Sequence, residues 1–162
     1  MAAVSYQKAA FRLATFFIVS IVCLSSVTTR VAAHCQVPCG IYDDDGRMKM
    51  LLEDARTIQK ATASIQQLAG KSDAQSQNQL TRWVMTKEQH ASHIIKTVSE
   101  YFLTQKVKPV APDSEGYDSY LSHLADHHAV MAAAMRTKQK VDPAAVAQLQ
   151  KSMEVLGKHY TH

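Results

Sequence analysis

The sequence predicts an all-α protein built as an antiparallel, up-down-up-down four-helix bundle. Three observations predict it: apolar residues recur at three- and four-residue spacing in four separate stretches, turn-forming residues punctuate those stretches, and no stretch alternates β-branched residues as a strand does. Short connections then favour antiparallel neighbours.

The first helix starts in Asp43-Asp44-Asp45-Gly46 and carries Leu51, Ala55, Ile58, Ile65 and Leu68 before Gly70 stops it. Ser72-Asp73 caps a second, long helix with Leu80, Val84, Ala91, Ile94, Val98 and Tyr101, which runs to about Phe102. A linker with Pro109, Pro112 and Gly116 follows. Beyond it, Tyr117, Leu121, Leu124, Met131 and Met135 mark the third helix, with Met131 and Met135 expected in the core. Asp142-Pro143 reads as an N-cap and a first-turn proline, opening a fourth helix with Val146, Leu149, Met153, Leu156 and Tyr160. Residues 43–162 thus form the bundle domain.

The preceding segment has a different character. Lys8 and Arg12 lead into the apolar run Leu13–Leu24, followed by polar Ser25-Ser26 and by small residues at Val31 and Ala33. That order marks residues 1–33 as a cleaved signal or targeting peptide, because a run of about a dozen residues is short of the 20 or so that a membrane span needs. Cleavage removes Lys8, Arg12 and Arg30 and no acid, so 15 of the 18 basic residues remain against 14 acidic ones. The basic balance therefore belongs largely to the leader. No basic patch with interleaved aromatics points to nucleic acid, and no further apolar run points to a membrane after processing. The leader directs the chain into the secretory pathway, hence secreted or extracellular, or alternatively to a plastid as the first half of a bipartite signal.

A cut after Ala33 makes His34 the first residue of His34-Cys35-Gln36-Val37-Pro38-Cys39-Gly40-Ile41-Tyr42. The His34 amine, the Cys35 amide nitrogen and the two thiolates can surround one ion in a plane, which fits Ni(II) or Cu(II) better than tetrahedral zinc. Electron-rich donors stabilise a higher oxidation state, and the His34 imidazole can serve as an axial ligand, as a one-electron site requires. Residues 34–42 then form an irregular N-terminal metal-binding hook. Taken alone, Cys35-x-x-x-Cys39 in a secreted chain is also compatible with a disulfide.

The string His-Cys-x-x-Pro-Cys-Gly-x-Tyr, followed by about 120 helical residues, resembles the nickel hook of the nickel superoxide dismutases. Weaker echoes are Lys87-Glu88-Gln89, Ser99-Glu100-Tyr101-Phe102 and Asp142-Pro143-Ala144. The resemblance implies conversion of superoxide to dioxygen and hydrogen peroxide by a nickel ion, one per subunit, cycling between Ni(II) and Ni(III). It implies that His34, Cys35 and Cys39 are both metal ligands and catalytic residues, that Pro38 turns the hook, that Tyr42 gates the open face, and that the protein is a homohexamer. It also exposes departures: Gln36 stands where bacterial members have Asp, His90 where they have Arg, and Met50 where a gap-free reading puts the glutamate that holds the axial imidazole. His90 and Glu53, a turn from Met50, are candidates to orient the His34 ring instead.

Two other readings of the hook are a metal carrier without redox turnover and a disulfide-closed interaction module. Outside the hook, His123 and His127 lie four apart beside His128, and His90 and His93 lie three apart, but no Glu-x-x-His motif accompanies them. These histidines are expected to be solvated or at an interface.

Overall fold

The computed structural model describes residues 42–160, and every described residue falls in one unit. The leader, its cleavage site and His34, Cys35 and Cys39 of the hook lie outside the described residues.

Helix α1 spans Asp44–Leu68. The Asp43 side chain caps it by accepting from the Gly46 amide at 2.7 Å, and Asp44 and Asp45 place negative charge in the first turn, where the helix dipole favours it. Gly46 has a steric reason to be glycine, since a Cβ there would lie 2.3 Å from the capping Asp43 Oδ2. Helix α2 spans Ala74–Thr97, capped by Asp73 through the Ser76 amide at 2.9 Å. It does not stop at Phe102 as predicted. It passes directly into a nine-residue π-helical segment, Val98–Lys106.

Gly116, at φ 90°, makes the left-handed turn that opens α3, Tyr117–Gln139. Asp142 caps α4, Pro143–Gly157, through the Ala144 amide at 2.9 Å, with Pro143 in the first turn as the sequence implies.

Side-chain contacts fix the antiparallel order. Asp54 meets His90 and His93, Lys87 meets the carbonyls of Thr137 and Lys138, and Asp126 meets His159. Gln59 meets Gln150, while Gln66 meets Val141, so α1 also runs antiparallel to α4 and the ring of four closes. The core between them holds Met48, Leu51, Ile58, Ile94, Phe102, Leu149, Met153 and Leu156. Among the described residues there is no strand, and no helix is long and apolar enough to cross a membrane.

Two parts of the predicted core are corrected. On α3, Leu121 is 44% and Met135 43% exposed, while His127, Val130, Ala134 and Thr137 are buried and Met131 is only partly covered. The true stripe lies one residue away from the predicted one, about 100° around the helix. Alanines and a threonine face the neighbours there, so hydropathy alone selected the wrong side. On α2, Val84 is exposed whereas Lys87, a charged residue, is 2% exposed.

Candidate active site

The described chain begins at Tyr42, the last residue of the predicted hook, and this is where the functional geometry starts. Tyr42 is partly exposed and its ring centroid lies 6.1 Å from that of Tyr101. The Lys106 ammonium sits 4.8 Å above the Tyr42 ring, and the Arg47 guanidinium 4.9 Å from the Tyr101 ring centre. Both are cation–π contacts. Asp44 ties the group together: one carboxylate oxygen accepts from the Tyr101 hydroxyl at 2.6 Å and the other pairs with Lys106 Nζ at 2.8 Å.

Burial, then the hydrogen bond and the negative charge of Asp44, push the Tyr101 phenol up to about 12, against an opposing pull from Arg47. Tyr101 therefore stays protonated at neutral pH. A recess of about 280 Å³ runs from Tyr101 past Arg47, Lys96 and Thr97 to His93.

Roughly 15 Å further along α1, ten residues on, Asp54 forms a second cluster. Its Oδ1 lies 2.6 Å from His90 Nδ1 and its Oδ2 2.6 Å from His93 Nδ1. A carboxylate only accepts, so both Nδ1 atoms donate to Asp54 and both Nε2 atoms are left for other partners. His93 Nε2 has the Thr97 hydroxyl at 3.4 Å. The predicted partner Glu53 is exposed, and the carboxylate that meets His90 belongs to the next residue, Asp54. Met50 is also exposed. A sequence signal for Asp54 existed: it lies three residues after Leu51 and four before Ile58, on the buried stripe of α1.

The geometry thus groups Tyr42 with Tyr101 and Lys106, and His90 with Asp54. No three His, Cys, Asp or Glu side chains among the described residues converge as a metal site. The family model for nickel-containing superoxide dismutase matches residues 29–162. The chain belongs to the nickel-containing superoxide dismutase family. No curated protein and no solved structure matches it. The dismutase is accordingly an oxidoreductase whose substrate is superoxide and whose cofactor is nickel.

The remaining histidines of this dismutase are largely accounted for inside the bundle. His127, expected to be solvated or at an interface, is instead fully buried. Its Nδ1 donates to the His123 carbonyl at 2.6 Å and its Nε2 accepts from the Tyr160 hydroxyl at 2.7 Å, which explains how an imidazole is accommodated among apolar neighbours. Burial pushes His127 below its usual value, and burial with the nearby His159 does the same to His123. His159 pairs with Asp126 at 2.9 Å, while His128 is exposed.

Proposed function

We propose that the nickel of this dismutase is held by His34, Cys35 and Cys39 at an N-terminus created by cleavage after Ala33. The observation that carries this reading is that the matched residues 29–162 contain only two cysteines, Cys35 and Cys39. Both lie in the hook. Thiolates suit a redox-active late transition metal, and a free α-amine beside an imidazole completes a donor set that fits nickel. The family match begins at residue 29, close to the proposed cut after Ala33, which supports reading residues 1–33 as a leader.

Bound nickel would supply one-electron cycling, by which one superoxide is oxidised to dioxygen and a second, with one electron and two protons, is reduced to hydrogen peroxide. The chain's own residues supply access, orientation and protons. Tyr42 stands at the end of the hook as a gate, backed by a Tyr101 phenol that remains neutral and so adds no repulsion toward an anionic substrate. His90, anchored through Nδ1 by Asp54, presents Nε2 as the group that orients the His34 ring, taking the place of the arginine–glutamate pair of bacterial relatives.

The same reading makes the protein a homohexamer, supported by the exposure of Leu121, Met135, Val84 and Met85, which contact with other subunits would cover. It sends the chain into the secretory pathway, with a plastid as the alternative destination.

The test compares residues 34–162 starting with a free His34 amine against the same chain with one added alanine before it. Bound nickel and superoxide decay are measured in both. Loss of nickel and activity in the extended chain is the expected result, and full activity there overturns the terminal-amine site.

A further inference from the structure

Asp44 has no necessary part in capping α1, because Asp43 already accepts from the Gly46 amide. Its carboxylate instead bridges Tyr101 and Lys106, two residues five apart in the sequence. In an α-helix, residues five apart point about 140° away from each other. A π-turn, whose bonds run from residue i to i+5, stacks them one above the other. The segment Val98–Lys106 is π-helical, and the Val107 amide closes it by donating to the Phe102 carbonyl at 3.1 Å. Two side chains bond at the same five-residue spacing, the Thr104 hydroxyl donating to the Ser99 carbonyl at 2.7 Å and the Gln105 side-chain amide to the Glu100 carbonyl at 3.0 Å. The π-helical segment is thus what allows Tyr101 and Lys106 to reach the two oxygens of one carboxylate.

We infer that Asp44 is a positioning residue for superoxide turnover, which through Lys106 and Tyr101 holds the Tyr42 ring where the hook joins the bundle. The inference rests on the reading of Tyr42 as the gate. Lys106 faces the Tyr42 ring at 4.8 Å while its charge is matched by Asp44, and the two side chains are 28% and 23% exposed. A matched ammonium contributes little net field to draw in an anion. It acts by fixing a ring rather than by steering superoxide, and the two roles predict opposite outcomes for one substitution.

The experiment uses the nickel-loaded protein with the variants Asp44→Asn, Lys106→Met, Lys106→Arg and Tyr42→Ala, each checked for nickel content and helical circular dichroism. Asp44→Asn releases the Lys106 charge near the substrate path. Positioning predicts that kcat/KM nevertheless falls, roughly fivefold to tenfold, because a misplaced group near the chemistry loses turnover. Steering predicts that it rises and becomes more dependent on salt, which would overturn the inference. Lys106→Met should fall by a similar factor at unchanged nickel content, and Lys106→Arg, which keeps both the ion pair and the cation–π contact, should restore most of the loss. Equal losses in Lys106→Met and Lys106→Arg would also overturn it. Tyr42→Ala separates the layers: if it retains full turnover the gate reading itself fails, whereas if it is impaired and Asp44→Asn is not, the clamp alone fails.

Discussion

His127 shows how a single residue type is rewritten by its surroundings. With Nδ1 donating to the His123 carbonyl and Nε2 accepting from the Tyr160 hydroxyl, the neutral ring is fully satisfied, and a second ring proton would turn the Tyr160 hydroxyl from donor to acceptor. Burial lowers its proton affinity, and the cationic form of His159 opposes a second charge. The sign follows. An imidazole that the fold keeps neutral binds protons less tightly than in the unfolded chain, so stability is fully present above the ordinary value of 6.5 and declines as the pH falls below it. His123, shifted the same way, adds to the effect. Urea midpoints measured between pH 8 and 5 should be flat at the upper end and fall below about 6.5. In His127→Phe, which removes the buried ring's titration, the acid side of that profile should flatten.

At the scale of elements, Lys87 links α2 to α3. Its ammonium donates to the carbonyls of Thr137 at 2.6 Å and Lys138 at 2.8 Å, groups that the end of a helix otherwise leaves unpaired, and pairs with Glu88 at 3.0 Å. A cation at a helix C-terminus is also favoured by the dipole. Replacing it by Met keeps the volume but leaves buried carbonyls without donors, so Lys87→Met should cost about 2–4 kcal/mol in denaturant unfolding. Lys87→Arg should recover part of this. The sequence showed Lys87 only as one of a Lys-Glu-Gln run, because its role depends on where α3 ends, and no pattern in α2 encodes that. Caps and breaks were legible for a different reason: Asp43, Asp73, Asp142 and Pro143 act on their own neighbours within a turn. The side of α3 that faces inward was not, since its buried surface joins Val130 with His127, Ala133, Ala134 and Thr137, a set no more apolar than the face it was read from. Nor was the π-helical segment, whose stability depends on the partners of Tyr101 and Lys106 in α1.

On the scale of the whole molecule, the sequence divides into a chemical part and a scaffold. The proposed hook is legible as a string because its candidate donors lie within the six residues 34–39, while Asp44 with Lys106, and Asp54 with His90, come together only through the pairing of α1 with α2 and its π-helical extension. This division has a thermodynamic consequence. Small metal domains gain their folding energy from the metal, and a chelator unfolds them. Here the described bundle buries Leu51, Ile58, Ile94, Phe102, Leu149, Met153 and Leu156 completely, with no metal-ligating cluster among the described residues. Nickel bound at residues 34–39 would stabilise the protein only through its preference for the native hook, not by building the core. Removal of nickel with a strong chelator should therefore abolish superoxide turnover while the far-ultraviolet circular dichroism spectrum stays helical and the thermal midpoint moves by only a few degrees. Collapse of the helical signal on chelation would mean that the metal organises the bundle itself, and would place ligands within the helices rather than in the hook.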